Sequence, residues 1–177
     1  MSAPSQSNRP VDDRFELTQK LGEGAGGEAW RARDRVSGSE CVVKLMQKSL
    51  VESASMLERF RREVLALGKL EHPHVVRLLT AGTCATRGQP YYVMGWSPGV
   101  PLDVLLGREG RLSPWRALRL VDQLLSVLEL GASRGVLHRD LKPANLLLES
   151  PGPEEHLRVL DFGLAKHLRG GEQTLEL

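Results

Sequence analysis

The sequence predicts an α+β fold, with a strand-rich first half, a turn-rich connector and a helix-led second half. Three observations carry this. Segments of alternating hydropathy recur up to about residue 95. The stretch Ser97-Pro-Gly-Val-Pro-Leu102 then interrupts them with residues that favour turns. After it, apolar residues recur at helical spacing through 114–135.

The chain has 177 residues, 41% hydrophobic and 26% charged, which is enough to bury a core without staples. A net charge of +2 does not point to nucleic acid. The densest basic cluster, Arg59-Phe-Arg-Arg-Glu63, carries its own acid and reads as a solvated helix face. Cys41 and Cys84 match no metal-ligand spacing and read as reduced thiols of a cytoplasmic protein. His72 and His74 flank Pro73, but nothing nearby completes a zinc set, so a turn is expected there. The apolar runs are too short to cross a bilayer. The N-terminus lacks the apolar core of a signal peptide and reads as a disordered lead-in over 1–12.

A first strand runs from Arg14 into a glycine-rich turn, 27–34 returns as a second, and 40–47 follows as a third. On the third, Cys41, Val43 and Leu45 share one face, and Val42, Lys44 and Met46 share the other. Lys44 is therefore expected to be partly desolvated. A helix comes next. Ser55 and Glu58 fit a capping box, and Met56, Phe60, Leu67 and Leu70 form a stripe. Glu63 lies within that stripe. A carboxylate there either pairs with a cation, Lys44 being the candidate, or extends to solvent. Segments 71–84 and 90–96 read as two more strands. Ser113 caps a long helix with Pro114 at its first position, and Gly135 ends it. That helix is apolar almost all round, which predicts burial on more than one side. Asn145–Glu149 and Leu157–Phe162 read as short strands.

Four motifs carry chemistry. Gly22, Gly24 and Gly27 form a G-x-G-x-x-G array, in which bare backbone can approach phosphate oxygens. A strand follows it, not the helix that a dinucleotide-binding unit needs. Lys44 and the misplaced Glu63 make a second feature. The third is His138-Arg-Asp-Leu-Lys-Pro-Ala-Asn-Leu-Leu147, and the fourth is Asp161-Phe-Gly163.

Together and in this order, over about Phe15 to Lys166, these resemble the protein kinase family, in particular the serine/threonine kinases of the kind also found in bacteria. The resemblance implies a two-lobe fold: an antiparallel five-stranded N-lobe with one helix over 13–95, a hinge at 96–99, and an incomplete, mainly helical C-lobe over 100–177. It implies ATP and Mg²⁺ as cofactors, and transfer of the γ-phosphate to a protein Ser/Thr hydroxyl. By the resemblance, Gly22, Gly24 and Gly27 cover the ATP phosphates, and Lys44 contacts them while paired with Glu63. Asp140 is the base, Lys142 lies near the transferred phosphate, and Asn145 and Asp161 hold magnesium. Leu21, Ala29, Val42, Met94 and Leu147 surround the adenine, whose edge meets the Gly95 carbonyl and the Ser97 N–H. Leu67, Leu78, His138 and Phe162 match the stacked residues that link the lobes. Thr174 falls where the family's phosphosites occur, with Arg139 to receive the phosphate.

There are departures from the family pattern. Ala29 and Val42 exchange the usual valine and alanine, which conserves volume. Gly95 replaces a common acidic residue. The family's closing Ala-Pro-Glu motif and the helices after it are not in this sequence. The sequence therefore predicts a truncated or fragmentary kinase domain. The alternative is a catalytically silent ATP-binding or regulatory module, completed by self-association or a partner on the uncovered helix at 114–135.

Overall fold

The structure, a computed structural model, describes residues 10–24, 27–50, 53–150, 154–160 and 162. They form two compact units. The first comprises the described residues of Met1–Leu65 and Leu78–Trp96, and the second those of Ala66–Arg77 and Ser97–Gly163.

The first unit is built on five antiparallel strands: β1 (Phe15–Gly24), β2 (Gly27–Asp34), β3 (Glu40–Met46), β4 (Leu78–Cys84) and β5 (Gln89–Gly95). Their order in the sheet is β1-β2-β3-β5-β4. The alternation read in β3 is observed: Cys41, Val43 and Leu45 are buried, while Val42 and Lys44 are half-buried. The buried face packs Phe15 edge-on to Tyr91, with ring centroids 6.2 Å apart.

The expected disordered lead-in is corrected at its end. Val11 is fully buried in this core. Asp12 accepts hydrogen bonds from the Tyr91 hydroxyl at 2.6 Å and the Ala85 N–H at 3.2 Å. Both partners are more than seventy residues away in sequence, so no local pattern announces them.

Asp34 ends β2 and organises the turn after it. Arg14 Nε and Nη2 donate to its two carboxylate oxygens, each at 2.9 Å. The Val36 N–H and the Ser37 hydroxyl donate at 3.0 and 2.9 Å. Hydrogen bonding from Arg14 leads, against burial, in holding the Asp34 carboxyl well below the usual carboxylate range. A folded-state pKa below the unfolded one gives stability that is present above the unfolded pKa and lost as pH falls through the folded one. Asp34→Asn is thus expected to unfold at lower urea concentration than the parent at pH 7. The gap should narrow below about pH 4, the unfolded value for aspartate. A gap that does not change with pH would assign the effect to packing alone.

Helix α1 spans Ala54–Leu67. Its cap is Ser53, not Ser55: the Ser53 hydroxyl accepts from the Met56 N–H at 3.4 Å, and Leu57 N–H donates to the Ser53 carbonyl at 3.0 Å. Glu58 faces forward, bonded by Arg62 Nε at 3.3 Å. Two serines two positions apart offer the same local signal, and the helix starts two residues earlier than the capping-box pattern suggests. Phe60 and Leu67 are buried as expected, joined by Val64, and Glu63 is half-buried.

Of the expected strand over 71–84, only Leu78–Cys84 is strand. Residues 71–77 instead dock on β8 (His156–Val159) in the second unit. Val159 N–H donates to the His74 carbonyl at 2.7 Å, and Val76 N–H to the Val159 carbonyl at 3.3 Å. The expected turn at His72–His74 is present. The His74 N–H donates to His72 Nδ1 at 3.1 Å, and the His74 ring lies 4.2 Å from that of His156. Burial lowers the pKa of both His72 and His74.

The second unit pairs β6 (Val100–Pro101), β7 (Leu146–Glu149) and β8 in that order, all antiparallel. Two helices accompany them: α2 (Leu102–Glu109), which the sequence reading did not resolve, and α3 (Pro114–Ser133). Ser113 caps α3 by accepting from the Arg116 N–H at 3.3 Å. At the far end Gly135 has φ +67°. The Val136 N–H bonds the Gly131 carbonyl at 2.8 Å, and the Gly135 N–H bonds that of Ala132 at 3.0 Å, closing the helix as a Schellman motif. Arg116 Nε lies 2.9 and 3.0 Å from the carboxylate oxygens of buried Glu155, tying α3 to the start of β8. The expectation that α3 is buried on more than one side is not met. Leu120, Val127 and Gly131 are buried, whereas Trp115, Leu118, Val121 and Leu125 are exposed. Hydropathy states what a surface prefers, and burial needs a partner surface as well. No described helix is long and apolar enough to cross a membrane.

Candidate functional site

In the first unit the register gathers part of the expected set. Ala29 opposes Lys44, Val42 opposes Met94, and Lys44 opposes Tyr92. Opposed residues project to the same side, so Ala29, Val42, Lys44 and Met94 share one face of the sheet. Met94 is buried and the other three are half-buried. The Lys44 ammonium lies 6.0 Å from the centroid of the Tyr92 ring. Gly95 opposes Cys41 at the end of β5, and Leu21 is 44% exposed on β1.

The three glycines differ. A Cβ added at Gly22 or Gly24 would meet nothing within 4 Å, so bare backbone there faces open space. That is the surface a phosphate group can approach. At Gly27, φ is +128° and an added Cβ would lie 2.0 Å from the Leu45 carbonyl oxygen. Gly27 is required for the turn from loop to strand. Ala25 and Gly26 lie outside the described residues.

One feature of this face was not read from the sequence. The Arg31 guanidinium lies 4.4 Å over the Trp96 ring, while its Nη2 pairs with Glu40 at 2.6 Å. Trp96 is 65 residues from Arg31, beyond the reach of any local signal.

In the second unit a loop before β7 carries the rest. His138 is buried, and its Nε2 hydrogen-bonds the Leu160 carbonyl at 2.8 Å. Its ring also lies 4.8 Å from that of Phe162, which brings two members of the expected stack together. Arg139 adopts φ +58°, which turns the chain sharply. Asp140 follows, its N–H on the His138 carbonyl at 2.8 Å. The Asn145 amide nitrogen donates to the Asp140 main-chain carbonyl at 2.7 Å and to Asp140 Oδ2 at 3.1 Å. Lys142 Nζ lies 2.9 Å from the same Oδ2. Leu160 N–H closes the loop on the Asn145 carbonyl at 2.8 Å. Asp140 is thus a half-buried carboxylate fixed by a cation and an amide. The Asn145 side-chain oxygen is the kind of hard donor that could hold a divalent cation. Leu147 is buried on β7. Asp161, Gly163 and Thr174 lie outside the described residues.

Residues 15–176 match the protein kinase domain family. The chain belongs to the protein kinase family. Among its relatives, the serine/threonine-protein kinase PkaA of Streptomyces coelicolor is 37% identical over 172 residues, covering 89% of this chain and 31% of the relative. CBL-interacting protein kinase 30 of Oryza sativa subsp. japonica is 36% identical over 171 residues, covering 97% and 35%. The chain thus spans about a third of the length of these curated relatives. The kinase domain of Mycobacterium tuberculosis PknI superposes with a TM-score of 0.75 at 25% identity, covering 90% of this chain and 61% of that one. The kinase-like fold, with its five-stranded antiparallel sheet, is therefore as the sequence predicts. The serine/threonine branch is supported by the relatives, which include both bacterial and plant kinases.

Proposed function

We propose that the chain handles ATP within a serine/threonine protein kinase and transfers its γ-phosphate to a protein Ser/Thr hydroxyl. The observation that carries this is Asp140, a carboxylate held in place by Asn145 and Lys142 on a loop tied down at His138 and Leu160. Phosphoryl transfer asks the protein for positioning and charge neutralisation rather than covalent help. Asp140 accepts the hydroxyl proton. Lys142, 2.9 Å from Asp140 Oδ2, offers positive charge to the transferred group. Lys44, paired with Glu63, holds the α- and β-phosphates beneath the bare backbone of Gly22 and Gly24. Asn145, with Asp161, would hold magnesium, which supplies charge neutralisation of the phosphates when bound.

The adenine is received by Leu21, Ala29, Val42, Met94 and Leu147, with its edge on the Gly95 carbonyl and the Ser97 N–H. Because Ala29 and Val42 exchange volumes relative to the family pattern, Val42→Ala alone opens a gap in the roof. The dissociation constant for MgATP should rise several-fold, about 1 kcal/mol for the lost methyl groups. An unchanged constant would show that these two side chains do not contact the ring. A cytosolic setting fits two free, buried cysteines, and burial pushes the Cys41 thiol up to about 11, keeping it protonated.

The test is phosphotransfer by this chain from γ-labelled ATP with Mg²⁺ to a generic Ser/Thr acceptor. Label in the acceptor supports the kinase reading. Saturable MgATP binding without transfer supports a silent nucleotide-binding module, for which the exposed row of Trp115, Leu118, Val121 and Leu125 on α3 offers a surface to a second chain. Absence of nucleotide binding overturns both.

A further inference from the structure

The proposed adenine edge contact depends on one backbone N–H, that of Ser97. The Ser97 hydroxyl donates a hydrogen bond to Glu149 Oε1 at the end of β7. The other carboxylate oxygen accepts from Arg158 Nε on β8 at 3.0 Å. Arg158 Nη1 in turn donates to the Pro73 carbonyl, which His156 Nε2 also contacts at 3.0 Å. Glu149 therefore joins the connector to a side chain that is itself anchored on the 71–77 segment. Its own side chain is 19% exposed, so the pairing is only partly screened by water.

The rest of the connector is fastened to the same strand. At Gly99 an added Cβ would lie 2.6 Å from the Leu148 carbonyl oxygen and 2.9 Å from Leu147 Cγ, so only glycine permits this approach. Val100 and Pro101 then pair with Leu148 and Leu147. Those contacts hold 99–101. Ser97 lies upstream of them, and its side-chain bond to Glu149 is what fixes it to β7.

We propose that Glu149 is a positioning residue for adenine recognition. It locks Ser97 through a charge-assisted hydrogen bond and so presents the Ser97 N–H in one orientation. The inference rests on the nucleotide-binding reading above. Without Glu149, the N–H is correctly aimed only part of the time, and apparent affinity falls by that fraction. The effect is specific to the base. Adenine offers an acceptor nitrogen beside its amino group, which an N–H donor and a carbonyl acceptor match. Guanine carries the reverse, a carbonyl beside an N–H. Loosening Ser97 therefore weakens ATP and spares GTP.

The experiment titrates the chain and its Ser97→Ala and Glu149→Ala variants with MgATP and MgGTP, together with the double variant. The dissociation constant for MgATP is expected to rise about fivefold in each single variant, the effect of one lost hydrogen bond. MgGTP should change less than twofold, so the ATP preference collapses. The double variant should be no worse than Glu149→Ala, because both changes cut one interaction. Glu149→Gln, which keeps an acceptor for Ser97, should restore most of the ATP affinity. Equal losses for ATP and GTP would mean general loosening of the fold and would overturn the inference. So would unchanged ATP affinity, or additive losses in the double variant. If the parent chain binds neither nucleotide, the nucleotide reading itself falls and this inference falls with it. Binding by the parent with unaltered variants removes only the inference.

Discussion

Replacing Asp140 by asparagine is expected to abolish phosphotransfer while leaving MgATP binding within about twofold. Removing a general base costs about 10²–10⁴ in rate. The geometry argues for a clean effect. The strongest bond that Asn145 makes in this loop goes to the Asp140 main-chain carbonyl, at 2.7 Å, and does not depend on the side chain. The Asp140 N–H remains on the His138 carbonyl at 2.8 Å. Asparagine has the same shape, so the loop should persist, and it retains an acceptor for Asn145 and Lys142. What disappears is the ability to take a proton. The measurement is the initial rate of label transfer at saturating ATP, beside a nucleotide titration. Transfer at the parent rate would show that Asp140 is not the base. Loss of nucleotide binding in step with the rate would show that its role is structural.

Changing Gly27 to alanine is expected to cost about 3 kcal/mol or more, near the upper range for a single substitution. Two effects add. The φ of +128° disfavours any side chain, a strain of about 1–3 kcal/mol. The new Cβ would also lie 2.0 Å from the Leu45 carbonyl oxygen and 3.0 Å from Met46 Cα, all backbone atoms of β3. Backbone in a paired strand cannot step aside as a side chain can, so the Gly27–Met46 pairing would have to open. Gly22→Ala and Gly24→Ala should behave oppositely. Their Cβ atoms enter open space, so stability should hold or rise by a few tenths of a kcal/mol. Nucleotide affinity should nevertheless drop, because the methyl group stands where a phosphate would approach. Urea unfolding and MgATP titration of the three variants separate the cases. Equal stability for all three would contradict the clash at Gly27, and unaltered affinity at Gly22 and Gly24 would remove their phosphate role.

Much of the fold was legible because its signals are local. The alternation of β3, the glycine turn before β2 and the Ser113-Pro114 start of α3 lie within a few residues of what they specify. Where the reading failed, the deciding contact was elsewhere in the chain. The stretch 71–77 has strand-like apolar residues, yet its backbone bonds go to Val159, more than eighty residues on. α2 has only Leu102 and Leu105 buried over eight residues, too few repeats to register as a helical period. Val11 and Asp12 sit beside a tail with no pattern, and Tyr91 orders them from across the sheet.

The residues by themselves determined the family, the strand-then-helix order and the identity of the chemical groups. Those properties depend on which side chains are present and on spacings of two to four residues, which backbone geometry converts directly into faces and caps. Only the tertiary structure decided how those groups are held. It set the paired Asp140, Asn145 and Lys142, the unyielding backbone around Gly27, and the chain of contacts from Ser97 through Glu149 and Arg158 to Pro73. Each of the contacts from Ser97 onward joins different elements, and for such pairs sequence separation says nothing about distance. They form because packing brings the elements together, and a buried or half-buried polar group without a partner would cost more than the contact gains.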